Sequence, residues 1–454
     1  MKVLISILVL MTSIQAIGAD NPNGPGASAY DGTFEANSRQ KDILNMALDG
    51  EGSVYSTFEF QSEYNNVNGC PLTIRYVRFG NDVTKKGAIA FSTGFTEPAL
   101  KYTELADDLL KKGYGPIYII NHRGQGNSDR VLVPESEQSC DVQAETNKDT
   151  PQKEIRHKGF VDNFKHYTGD FDQFVKTILE EDGPVGIGIV NPDKFFLLAH
   201  SMGGAVALAY IMNHQNPFEK VILSSPMLRV LLPEQKILGI GMGTGRFNNW
   251  VSHTGSNPME WFGVFEWTDY AREAERLSPV WSRNKRPFGS DSFFGGTPVN
   301  GSTSDPNRHW FHVNLLNYHP DDMAINGPTV GWVHEALDGT ENMIWSPIRS
   351  GKGVYDFLRI NKINLETHNP KDMRIKIFQA SADKAVINSG QDDVCNRFNE
   401  VLEAPYFKLQ KSKYASVEMC SLIKEGFVGA EHELFIESNL YRDHAIKLLT
   451  EHFQ

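Results

Sequence analysis

The sequence is short of cysteine, of excess positive charge and of long apolar runs, and each shortage removes a class of function. Its 454 residues hold 4 cysteines. None forms a Cys-x-x-Cys pair or lies near a histidine pair, which argues against a zinc or dithiol redox site. Lys and Arg number 44 against 56 Asp and Glu, a net charge of -12 with pI ≈ 5.6. Nucleic acid attracts clustered cations, so no nucleic-acid partner is expected. Gly239, Gly241, Gly243 and Gly245 lack the spacing of a dinucleotide loop, and no strand pattern precedes them. His309 and His312 share a helical spacing, but a histidine pair alone makes no metal site. No cofactor and no metal are therefore expected. After the first residues no stretch is long and apolar enough to span a bilayer.

What is present begins with a leader. Met1-Lys2, then apolar Val3 to Leu10, then small and polar residues up to Ala19 read as a signal peptide over 1–19, with Ala16-Ile17-Gly18 and Ala19 as alternative cleavage points. The mature chain is then exported, periplasmic or secreted, and soluble. In that compartment an even set of cysteines pairs. Three pairings exist. Cys395 with Cys420 and Cys70 with Cys140 are preferred, since each closes a loop inside one half of the chain.

Further along, Val54 to Glu63 and Leu72 to Phe79 predict an antiparallel edge hairpin across Asn65, Asn66, Asn68 and Gly69. Apolar strands over 88–91 and 116–120 then alternate with helices at about 100–112 and 162–180. Another strand follows over 220–225. This alternation predicts an α/β fold with a mostly parallel central sheet, whose carboxyl edge carries the working loops. The alternation stops at residue 231 and resumes near 359. Between them lie all seven tryptophans, Trp250, Trp261, Trp267, Trp281, Trp310, Trp332 and Trp345, with Phe262, Phe265, Phe288, Phe293 and Phe294. The reading is a core over 20–230 and 359–454 with an inserted, mostly helical cap over 231–358.

The central run is Phe195 to His200, Ser201, Met202-Gly203-Gly204 and Ala205 to Ala209. An apolar strand ends on a serine and passes straight into an alanine-rich helix, with Ala199 and Gly203 keeping the bend free of side chains. That is the pattern of a nucleophile elbow, with Ala199 where glycine is usual. A serine N-cap after a buried strand reads the same way. A neutral hydroxyl needs a base in reach, and histidine suits. A carboxylate must in turn hold the ring. The order Ser, acid, His selects Ser201, Asp383 after the strand Ile375 to Ala380, and His432 in the loop before the last helix. Asp392, Asp393 and Glu400 fall on a helix, and His444 and His452 fall on the exposed side expected of the final helix. Charge developing on the attacked carbonyl calls for two backbone donors. The amide of Met202 is one, and Gly94 aims that of Phe95 as the other.

Thr93-Gly94-Phe95, Lys101-Tyr102, Glu104-Leu105-Ala106, His122-Arg123-Gly124-Gln125-Gly126 with Ser128, Ala199-His200-Ser201-Met202-Gly203-Gly204 and Ala430-Glu431-His432-Glu433 together resemble the monoacylglycerol lipase and lysophospholipase branch of the α/β hydrolases, bacterial lysophospholipases most of all. The resemblance runs from about Thr73 onward. It implies the α/β-hydrolase fold, the triad Ser201, Asp383 and His432, the oxyanion donors Phe95 and Met202, and a lipid ester as substrate. Thr93 stands where many members have His, and Asn121 where they have Asp. The expected activity is cleavage of a single-acyl-chain ester, lysophospholipid or monoacylglycerol, with transient contact at a membrane surface. The cap's aromatics would hold the tail, and Arg229, Arg246, Arg272 and Arg276 would meet a phosphate. A peptidase on the same fold and a lipid-binding protein without catalysis are the alternatives.

Overall fold

The computed structural model describes residues 36–82, 85–132, 158–183, 186, 188–191, 194–215, 217–230, 235–237, 240–242, 303–318, 323, 325, 327–360, 375–402 and 419–454. The expected signal peptide, Cys140 and four of the seven tryptophans lie outside them. The chain builds β1 (Tyr55–Gln61), β2 (Thr73–Phe79), β3 (Ala88–Ser92), β4 (Ile117–Ile120), β5 (Phe195–His200), β6 (Lys220–Ser224), β7 (Ile375–Phe378) and β8 (Cys420–Ile423). They form one sheet in the order β1-β2-β4-β3-β5-β6-β7-β8. The β1 and β2 hairpin is antiparallel and sits at one edge, with Tyr55 opposite Phe79. β2 meets β4 antiparallel, and every pairing from β4 to β8 is parallel. β3, β4 and β5 are buried at every residue. Both their faces are covered, so their sequences are continuous apolar runs without alternation.

The covering helices are α1 (Ser38–Asp49), α2 (Thr103–Lys111), α3 (Phe164–Glu181), α4 (Ser201–Asn213), α5 (Pro306–Tyr318), α6 (Val330–Thr340), α7 (Lys352–Ile360), α8 (Asn388–Leu402) and α9 (Asn439–His452). Asn163 caps α3 by accepting the Lys165 amide, and Thr329 caps α6 by accepting that of Trp332. One apolar layer joins Phe171 and Phe174 of α3, Val206 of α4, Trp332 of α6, Phe357 of α7 and Phe398 of α8. The other joins Ile43, Leu105, Phe311 and Ile446 from α1, α2, α5 and α9. The described part of the segment expected as a cap is mostly helical and reaches both layers: α5 packs on α1, α6 on α3 and α7 on α4.

Cys395 of α8 is bonded to Cys420 of β8, as expected. Cys70 is disulfide-bonded too, and Cys140, its expected partner, lies outside the described residues. A short strand does precede part of the glycine run, contrary to the sequence reading. Gln235–Ile237 pairs antiparallel with Ile240–Met242, which places Gly241 inside a strand. Among the described residues no helix is long and apolar enough to cross a membrane.

Candidate active site

β5 delivers the chain to Ser201 and α4 takes it away with no linker, since His200 is the last strand residue and Ser201 the first helical one. The reversal leaves Ser201 at φ 51, in the left-handed region. A residue with a side chain is held there at a cost of about 1–3 kcal/mol. Close packing of the first helical turn enforces it. A Cβ on Gly203 would stand 2.3 Å from the carbonyl oxygens of Ser92 and Thr93, and one on Gly204 would stand 2.6 Å from Cβ of Pro226. The Met227 amide also donates to the Ser201 carbonyl at 2.8 Å. Thr96 and Ser225 share the positive φ, at 66 and 42, and follow β3 and β6. The strained residues thus gather along one carboxyl edge of the sheet. Met202 is buried there. Its amide is in the first turn of α4, where an N–H has no acceptor within the helix.

Asp383 follows β7, and His432 lies between β8 and α9. Their side chains meet, Nδ1 of His432 lying 2.7 Å from Oδ2 of Asp383. The other oxygen of Asp383 accepts the amides of Ala385 and Val386 at 2.8 and 3.1 Å. A carboxylate only accepts, so Nδ1 carries a proton, and in the neutral ring Nε2 is left as the acceptor. The His432 ring is 4.7 Å from that of His200, the residue before Ser201. Burial works against a charged imidazole, but the carboxylates of Asp383, Glu433 and Glu97 outweigh it and raise the His432 pKa above its ordinary value.

The weaker rivals are engaged elsewhere. Asp392, Asp393 and Glu400 pair with Lys424, Arg229 and Arg397. His444 lies 3.2 Å from the carbonyl of Glu425. His452 is buried, not exposed as expected, because it continues the inward face of Arg442, Ala445, Ile446 and Leu449 at helical spacing.

The turn after β3 is braced from three sides. A Cβ on Gly94 would come within 2.6 Å of Oε2 of Glu97 and 3.1 Å of Cβ of Ser201, so a side chain there would push on both neighbours. The Gly94 amide donates to Oε2 of Glu97 at 2.6 Å, and the Thr96 amide donates to Oε1 of Gln125. The Phe95 ring lies 4.0 Å from that of Trp332. Thr93 and Asn121, the two departures from the resembled pattern, are structural ties: the Thr93 hydroxyl donates to the Ile120 carbonyl at 3.2 Å, and Oδ1 of Asn121 accepts the Ala99 amide at 2.6 Å. His122 is held neutral by burial and by Arg123, with its pKa pushed down to about 3. Arg123 itself binds both oxygens of Asp170 on α3 at 2.7 and 3.0 Å. Sequence reasoning assigned no role to Glu97 or Gln125. A usable signal was present: Glu97 and Lys101 stand four apart around the apolar Pro98-Ala99-Leu100.

Arg229, expected to face a phosphate, lies 3.2 Å from Asp393 and 4.9 Å over the Trp345 ring. Arg246, Arg272 and Arg276 lie outside the described residues. Glu97, His200 and Glu433 bring ligand-type atoms within 4.8 Å of one another. The ammonium of Lys101 bridges the two carboxylates at 2.8 and 2.7 Å, so positive charge is already supplied there.

Three comparisons bear on this geometry. Lysophospholipase L2 of Escherichia coli (strain K12) is 28% identical over 172 residues, 38% of this chain and 41% of that protein. Probable lysophospholipase L2 of Haemophilus influenzae is 30% identical over 139 residues, 31% of this chain and 34% of that protein. The chain thus aligns with less than half the length of these relatives. A highly thermostable carboxyl esterase from Bacillus coagulans, solved with glycerol, shares the fold at a TM-score of 0.50 and 14% identity, over 88% of this chain and 97% of that one. The family model described as serine aminopeptidase, S33, matches residues 84–403, a span that includes the elbow and Asp383. On that match and the eight-stranded sheet behind it, the chain belongs to the Hydrolase_4 (serine aminopeptidase, S33) family of α/β hydrolases.

Proposed function

We propose that this chain is an exported serine hydrolase that cleaves the carboxylic ester of a single-acyl-chain lipid, a lysophospholipid or a monoacylglycerol, through an acyl-enzyme on Ser201. The observation that carries the reading is the 2.7 Å pair of His432 and Asp383, whose imidazole lies 4.7 Å from the ring of His200, the residue before Ser201 at φ 51. Ser201 Oγ attacks the ester carbonyl while Nε2 of His432 takes its proton, and Asp383 holds the imidazolium that forms. The amides of Phe95 and Met202 receive the developing oxyanion. His432 then protonates the leaving alcohol, and a water activated by the same ring releases the fatty acid. The lysophospholipases among the relatives support a lysophospholipid, and the family's aminopeptidase description supports a peptide amide as the second reading.

The contact of Trp332 with Phe95 supports a cap over 231–358 that reaches the site. Its aromatics would bury the acyl tail at about 0.8 kcal/mol per methylene. Labelling with a fluorophosphonate, followed by turnover of lysophosphatidylcholine, a monoacylglycerol and an aminoacyl nitroanilide, tests the reading. Labelling of Ser201 and release of fatty acid support it. Absence of labelling leaves a lipid-binding protein, and turnover of the anilide alone makes it a peptidase.

The raised pKa of His432 fixes the direction of the pH dependence. The ring must be neutral to accept the serine proton, so kcat/KM falls as pH drops through that pKa. The midpoint of the acid limb is therefore expected above about 6.5. A profile flat down to about pH 5 would show that no imidazole titrates in the step.

A further inference from the structure

The turn after β3 and the loop ahead of α9 meet on a buried ionic cluster that no step of the reaction uses. Oε2 of Glu97 accepts the Gly94 amide at 2.6 Å and the Tyr102 hydroxyl at 2.7 Å, and Oε1 accepts Nζ of Lys101 at 2.8 Å. The same Nζ donates at 2.7 Å to Oε1 of Glu433, the neighbour of His432 in the chain. His200 lines the remaining side, with Nε2 3.6 Å from Glu97 and Nδ1 3.1 Å from the Ser224 carbonyl. All these side chains are buried.

Stability does not account for such a cluster. Two carboxylates share one ammonium away from water, and well-packed apolar residues of similar volume are often as stable or more so. What ions supply and apolar side chains do not is directional registry between the segments they join. Here those segments lie 332 residues apart, and they carry the Phe95 amide and the His432 ring.

We propose that Glu97, Lys101 and Glu433 are positioning residues, a buried clasp that holds the Gly94–Phe95 turn and the His432 loop in one register about Ser201. The proposal rests on the triad reading given above. Gly94 is the point of transmission, because its amide is bonded to Glu97 while its α-carbon faces Ser201. The charge balance agrees with a clasp closed around neutrality. Burial opposes ionisation of Glu97, but the Lys101 ammonium outweighs it and holds the carboxyl well below the usual range. Glu433 is pushed up to about 7, by burial first and by Glu97, against the pull of Lys101. The groups facing His432 are Asp383, Glu433, Glu97 and His200.

Two variants test the clasp, assayed for kcat and KM on a short nitrophenyl ester beside a melting curve. Glu433→Gln is isosteric and keeps one acceptor for Lys101 but loses the charge. It is expected to lower kcat about tenfold with KM unchanged, since small misplacements of reacting groups cost rate more than binding. The pair Glu97→Gln with Lys101→Met removes one cation and one anion together, and is expected to fold and to lose more than tenfold in kcat. A wild-type kcat in either folded variant, or a fall in kcat/KM carried by KM alone, overturns the clasp. Should the double variant fail to fold, Glu433→Gln decides. The triad reading fails separately, if the wild type neither takes the fluorophosphonate nor turns over the ester.

Discussion

Ser201→Ala lowers kcat for a short nitrophenyl ester by at least ~10³, with the melting midpoint unchanged. The first half of that expectation follows from the reaction: without Oγ there is no acyl-enzyme, and only the backbone donors at Phe95 and Met202 remain to stabilise attack by water. The second half follows from the packing. What holds the elbow is the close seat of Gly203 against Ser92 and Thr93 and the bond from the Met227 amide to the Ser201 carbonyl, none of which uses the hydroxyl. Alanine accepts φ 51 no better than serine and no worse. A variant retaining more than a tenth of wild-type kcat would move the nucleophile elsewhere.

Asp383→Asn is expected to cost about 10⁴ in kcat at neutral pH with the fold retained. The reason lies in what each oxygen does. Oδ1 accepts two amides, from Ala385 and Val386, and Oδ2 faces Nδ1 of His432. An asparagine satisfies the two amides with its carbonyl oxygen, which turns its NH2 toward the imidazole. Nδ1 must then accept, so the proton sits on Nε2 and the ring presents a donor where a base is needed. The charge that would steady the imidazolium is lost as well. A fall of less than tenfold would mean that another group orients the ring. His200 is the nearest ring, but its pKa is lowered to about 4, by burial first, and its Nδ1 is engaged at Ser224.

Much of the scaffold is legible locally. The run Phe195 to Ala209 states its own geometry, because an unbroken apolar strand followed by Ser, Gly, Gly and Ala has one compact way to turn and lie on a sheet. The edge hairpin and the amphipathic helices follow from periodicities of 2 and 3.6, the covered strands from short unbroken apolar runs, and the structure has them near the expected places. Asp383 and His432, whose side chains meet, come from chain order and from their places after a strand and before the last helix. Less legible were the positions whose partner is remote. His452 reads as a surface residue until the direction of α9 against the core is known. Arg229 reads as a free cation until Asp393 and Trp345 come up beside it.

By itself, then, the sequence determined the class of fold and the elbow, because those depend on bonds and side chains within a few residues of one another, and chain order marked Asp383 and His432 as a pair that meets. Only the tertiary structure decided that Lys101 would stand between Glu97 and Glu433, that α5 and α6 would pack on opposite layers, and that Phe95 would lie against Trp332. These are contacts between faces far apart in the chain, and whether a buried charge finds its partner is a property of how the layers close, which no local pattern encodes.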